Sequence, residues 1–141
     1  MKSVRAIVHN IESKAFAEGV DALSDEERLL FVAWQETANI GNGGFHRFYQ
    51  GGGDIDELAA AYKELGLREC AEACAKSKAV FPKGHPFADR EATAKFLKAR
   101  WEEIDDAFSK IEKPIYGLGL EFEGLIEPTS EFLARRRRAR R

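Results

Sequence analysis

Ser24-Asp25-Glu26-Glu27-Arg28-Leu29-Leu30-Phe31-Val32-Ala33-Trp34 is the stretch whose reading decides the fold. A serine with glutamate three residues on is a capping box: each side chain satisfies a backbone N–H that a helix start leaves free. Asp25, Glu26 and Glu27 also place negative charge where the helix dipole favours it. The apolar run Leu29–Trp34 then covers most sides of a helix, which predicts a central, buried one. At six residues that run is far short of the ~20 needed to cross a bilayer.

Helical spacing continues on both sides. Upstream, Val4, Ile7, Val8, Ile11 and Ala15 follow the i, i+3, i+4 pattern, and Gly19 ends that helix. Downstream, the central helix is predicted to stop at Asn39-Ile40-Gly41-Asn42-Gly43-Gly44. There the glycines permit positive φ, Asn42 caps a new helix, and Phe45, Phe48 and Tyr49 plug the core. After Gly51-Gly52-Gly53, Asp54 caps a helix carrying Ile55, Leu58, Ala59, Tyr62 and Leu65, and Gly66 ends it. A further helix carries Leu67, Cys70, Ala71, Cys74 and Val80, with a loop from Phe81 to Pro86. Asp89 opens the longest predicted helix, residues 89–111, with Leu97, Trp101, Ile104, Phe108 and Ile111 on one stripe and Glu91, Glu102 and Asp106 opposite. The segment Ile115–Ile126 is predicted helical, ending before Pro128. No segment alternates as a strand does. The expectation is an all-α, single-domain bundle of about six to seven helices over residues 1–133, followed by a basic, disordered tail at 134–141.

Charge sharpens the picture. The 141 residues carry 24 acids against 22 bases, a net −2. Six of the bases are Arg135, Arg136, Arg137, Arg138, Arg140 and Arg141; without them 16 bases face 24 acids, a net −8. Residues 101–133 hold nine acids and only Lys110 and Lys113 as bases. Such an acidic third steers basic partners, nucleic-acid-binding proteins among them. Glu91, Glu102, Asp106, Glu123 and Glu127 are the candidate interaction face. The arginine tail has three readings: an anion-binding segment, a strap folded back on Glu123, Glu127 and Glu131, or a disordered, silent end, the last being preferred. The acidic body is not expected to bind nucleic acid directly.

Other chemistry finds little support. The segment Gly41–Tyr49 lacks the Gly-Lys-Ser/Thr ending of a phosphate loop and follows a helix rather than a strand. Cys70 and Cys74 share a helix face, but two thiols do not make a four-ligand zinc site, and His9, His46 and His85 stand singly. Neither metal nor cofactor is expected. Glu36 and His46 flank the glycines without a nucleophile or oxyanion motif beside them, so no enzyme is expected. The alternative is a small enzyme or ligand-binding domain with a pocket near Glu36, Asn42 and His46. With no apolar leader after Met1-Lys2-Ser3 and only two cysteines, a cytoplasmic protein is expected.

One further signal lies in the glycine segment. Glu36, Asn42-Gly43-Gly44-Phe45, Arg47, Phe48-Tyr49 and Gly51, together with Trp101-Glu102-Glu103-Ile104-Asp105-Asp106-Ala107-Phe108, resemble the bacterial DNA-mimic-protein-like family, a domain family of otherwise unknown function. Arg47 stands where the family has Gln, and Gly51 where it has Asn. The resemblance runs from about Leu23 to Phe132. It implies an all-α fold, a structural role for Glu36, Asn42, Gly43, Gly44, Phe45 and Phe48, and carboxylates displayed like a phosphate backbone to a regulator's DNA-binding surface.

Overall fold

The computed structural model describes residues 3–140; Met1, Lys2 and Arg141, which the leader and tail readings include, lie outside them. Among the described residues all regular structure is helical, so the fold is all-α. Its helices are α1 (Val4–Glu18), α2 (Asp25–Gln50), α3 (Ile55–Glu64), α4 (Arg68–Ser77), α5 (Arg90–Ala99), α6 (Trp101–Ile111), α7 (Lys113–Tyr116) and α8 (Glu123–Ala139).

Local caps form where the sequence puts them. Ser24 Oγ accepts from the Glu27 N–H at 3.2 Å, and Glu27 Oε1 accepts from the Ser24 N–H at 2.9 Å, completing the capping box. Asp54 caps α3 and Asp89 caps α5 through their side-chain carboxylates. Gly66, at φ 75°, closes α3: its N–H reaches the Lys63 carbonyl and the Leu67 N–H reaches that of Tyr62, the paired bonds of a Schellman turn.

Helix α2 runs through the middle and packs on α1, α3, α5, α6 and α7. Its buried side chains include Leu30, Ala33, Trp34, Ile40, Phe45, Phe48 and Tyr49. Three buried polar contacts fix its neighbours. The Trp34 indole N–H donates to Thr129 Oγ1 on α8 at 3.1 Å. Thr37 meets the Tyr62 hydroxyl of α3 at 2.7 Å, and the Tyr49 hydroxyl meets Ser77 of α4 at 2.6 Å. Such pairing matters because an unsatisfied buried polar atom costs about 1–3 kcal/mol.

Four boundaries differ from the sequence reading. The predicted break at Asn39–Gly44 is confined to its last residue: Gly44 alone leaves helical geometry and a new helical segment starts at Phe45, while Asn42 lies exposed inside the helix and caps nothing. The predicted 89–111 helix divides at Arg100 (φ −124°, ψ 32°) into α5 and α6. Ile115–Ile126 is not one helix: α7 ends at Tyr116, a turn follows, and α8 continues through Pro128. The stretch read as a disordered tail extends α8 to Ala139. Its arginines reach back to Glu26 and Glu64 rather than to Glu123, Glu127 and Glu131. Arg135 donates to the Glu64 carbonyl at 2.9 Å, Arg136 lies 3.7 Å from the Glu64 carboxylate, and Arg140 lies 3.0 Å from that of Glu26.

No helix among the described residues is long and apolar enough to cross a membrane.

Candidate functional site

The site grows from one residue. Gly44 has φ 67° and ψ −167°, a region that only glycine enters freely. The helical ladder is interrupted there, and the Phe45 N–H is left without a helical partner. Glu112, the C-terminal cap of α6, supplies one: its Oε1 accepts from the Phe45 N–H at 2.7 Å. A Cβ on Gly44 would land in that carboxylate, so the glycine is required both for its dihedrals and for space.

Helix α6 reaches the kink with one stripe of side chains, Trp101, Asp105, Phe108 and Glu112, at i, i+4, i+7 and i+11. Phe108 is fully buried against Phe45, with ring centroids 5.4 Å apart, and this contact positions the stripe. His46 is clamped between two of its members. Trp101 stacks on the imidazole at 3.7 Å and 16°, while Phe108 meets it edge-on at 5.1 Å. His46 is only 3% exposed. Its Nε2 lies 3.4 Å from Asp105 Oδ1, yet neither ring nitrogen completes a hydrogen bond.

The electrostatics follow from burial. Desolvation pushes the Glu112 carboxyl above the ordinary glutamate range, against the opposing pull of the Phe45 N–H and the Tyr116 hydroxyl. Desolvation also lowers the His46 pKa, with Asp105 resisting, so the ring is held neutral near pH 7. A cleft of about 290 Å³ opens here, walled by His46, Asp105, Ser109, Glu112 and Tyr116 with Gly43 and Gly44 at its base. Trp101 is 44% and Tyr116 46% exposed.

Glu36 is elsewhere. With Asn39, Arg47, Gly53 and Arg90 it lines a separate cavity of about 320 Å³, where Asn39 Nδ2 donates to its carboxylate at 2.9 Å. Burial raises its pKa too. Asn42 borders neither cavity. The pocket expected near Glu36, Asn42 and His46 is therefore not assembled: these residues project from different sides of α2.

All five residues of the candidate acidic face, Glu91, Glu102, Asp106, Glu123 and Glu127, are exposed. Glu102 and Asp106 stand on α6 beside the cleft, with Asp106 3.4 Å from Lys110. Glu91 is in the first turn of α5, while Glu123 and Glu127 begin α8, which packs on α1. The sequence reading passed over Asp105, Glu112 and Tyr116, and took Trp101 for core. The spacing of 101, 105, 108 and 112 was a usable signal, because it puts two carboxylates on the stripe that Phe108 anchors in the interior.

The thiols of Cys70 and Cys74 are buried, and burial pushes their pKa values up to about 11 and about 12, so neither is a nucleophile near pH 7. No group of three or more His, Cys, Asp and Glu among the described residues is placed to hold a metal ion.

Comparison with known proteins places this arrangement. No curated protein and no solved structure matches the chain. A family model, described as DMP19-like protein, matches residues 21–126. The matched span begins just before the capping box and takes in the whole of α2 through α7, hence both the Gly44 kink and the α6 stripe that closes on it. A match over most of the chain shows its membership: the chain belongs to the DMP19-like family, a family of DNA mimic proteins.

Proposed function

We propose that this chain is a non-enzymatic interaction protein that presents an acidic face to a basic protein partner, and that the partner is a cytoplasmic DNA-binding regulator. The observation that carries the reading is the distribution of charge along α6. Glu102, Glu103, Asp105 and Asp106 are all exposed, and among the described residues Lys110 is the only lysine or arginine paired with any of them. Of the α8 arginines, Arg140 is engaged by Glu26 at the other end of α2, and Arg135 and Arg136 by Glu64 at the end of α3. Residues 26 to 44 of a helix span roughly 27 Å at 1.5 Å per residue, beyond the Debye length of about 8 Å in physiological salt. The basic segment therefore leaves the α6 carboxylates unscreened. Glu91, Glu123 and Glu127 add to the negative field that draws in a basic surface. Gly44, Phe45 and Phe48 brace the fold on which that face is built.

Mimicry makes a specific demand: the carboxylates must compete with phosphates for the same surface. The test is capture of host proteins on the immobilised full chain, followed by elution with a short DNA duplex or with polyglutamate of matched charge. The reading expects a DNA-binding protein that the duplex releases at lower charge concentration than polyglutamate does. Capture that the duplex leaves undisturbed would overturn it.

A further inference from the structure

We infer that the cleft at the α2 kink is a receptor for a single arginine side chain of the protein partner; this deepens the reading above and rests on it. Three features of the cleft point to a guanidinium. The first is a buried vacancy in hydrogen bonding. Buried polar atoms are almost always partnered, yet His46, 3% exposed and on the cleft wall, has both ring nitrogens unpartnered. A neutral imidazole has one N–H and one acceptor nitrogen; with Nε2 3.4 Å from the Asp105 carboxylate, the nitrogen that lacks a donor is Nδ1.

The second feature is the excess of acceptors around it. The Asp105 side chain is 55% exposed, and Glu112, held by the Phe45 N–H and the Tyr116 hydroxyl, adds a second carboxylate to the cleft wall. Ser109 spends its proton on the Asp105 carbonyl at 2.7 Å, so its hydroxyl has only acceptor capacity left. Neither lysine nor arginine of this chain lines the cleft. A metal would use the same acceptors, but they include no set of three ligands placed to hold one. Arginine is donor-only, carries five N–H groups in a fixed plane and never loses its charge.

The third feature is aromatic: Tyr116, on the cleft wall, is 46% exposed, and Trp101, stacked on the wall residue His46, is 44% exposed. Aromatic faces beside carboxylates favour a flat, weakly hydrated cation over the compact ammonium of lysine. Exposed Trp and Tyr at the edge of a charged surface are also the side chains that most often anchor protein interfaces.

The test uses the full chain and two probes, N-acetyl-arginine amide and N-acetyl-lysine amide, followed through the Trp101 indole and His46 ring resonances. The arginine probe is expected to produce saturable shifts at both residues, with the lysine probe roughly fivefold weaker or more. Asp105→Asn, an exposed substitution that leaves the core intact, is expected to weaken the arginine response by a similar roughly fivefold. Glu18→Gln, at an exposed glutamate that ends α1, leaves it unchanged. Absence of a saturable shift at Trp101, or equal responses to both probes, would overturn the inference. A ten-residue peptide with one arginine flanked by lysines distinguishes the sources. Tighter binding than the free amide supports a protein side chain, and weaker binding overturns it in favour of a small metabolite. The inference and the functional reading fail separately. If Asp105→Asn captures a DNA-releasable partner undiminished, the arginine receptor is wrong and the functional reading stands. If the probes behave as expected but duplex DNA releases nothing, the functional reading is the one overturned.

Discussion

The two helix starts along α2, at Ser24 and at Phe45, meet the same chemical need by opposite means. Both leave backbone N–H groups without helical partners, and both use a glutamate carboxylate in the repair. At Ser24 the glutamate is three residues away, in the same turn and open to water. At Phe45 it comes from the end of α6, 67 positions along the chain, and is buried. The environments push the two carboxylates in opposite directions. The Ser24 N–H, with Lys14 beside it, holds Glu27 below its ordinary pKa, whereas burial lifts Glu112 above it. A local cap stabilises one helix. The long-range cap also ties α6, and the acidic residues it carries, to the middle of the molecule.

The sharpest way to break the second start is Gly44→Ala. The variant must adopt dihedrals that L-residues avoid and must displace the Glu112 carboxylate, so we expect a loss of roughly 3–5 kcal/mol in denaturant unfolding. Next is Glu112→Ala, which strands the buried Phe45 N–H. The expected cost is about 1–3 kcal/mol, and the Phe45 amide should exchange with solvent faster than its neighbours. Ser24→Ala removes only one half of a water-exposed box, and about 1 kcal/mol is expected.

The smallest effect is the most diagnostic, because its sign differs between the two sites. Glu27 has a lowered folded pKa, so its contribution is present above its ordinary value of 4.5 and is lost as pH falls through the folded value. Glu112 has a raised one: its contribution is complete below 4.5 and is lost as pH rises through the folded value. Stability measured from pH 3 to pH 8 should therefore show Glu27→Gln losing ground to the wild type as pH rises. Glu112→Gln should gain ground over the same titration. Parallel curves would contradict the assignment of the two caps.

The same contrast explains what could be read in advance. Ser24, Asp54 and Asp89 act within a turn of themselves, and Gly19 and Gly66 end their own helices, so residue types and short spacings sufficed. Several failures are places where a distant contact overrides a local preference. Pro128 sits inside α8, between Leu125 and Phe132, both fully buried, and next to Thr129, which Trp34 holds from α2. The arginines extend α8 because Glu26 and Glu64 wait on other helices. Beside the cleft, Glu102 and Asp106 were visible as charge, but the depth next to them was not. It depends on a kink at Gly44, a carboxylate at 112 and a ring at 46 meeting in space.

The account's central claim is that the kink end of α2, and not the arginine end, meets the partner. The measurement that addresses it most directly is the affinity of the captured, DNA-releasable protein for two variants of the full chain. One carries Glu102→Lys with Asp106→Lys, and the other Arg137→Ala with Arg138→Ala, all four positions being exposed. The account predicts that the first loses about tenfold or more in affinity, with a weaker dependence on salt, while the second binds as the wild type does. Loss of binding in the arginine variant with the lysine variant unaffected would contradict it.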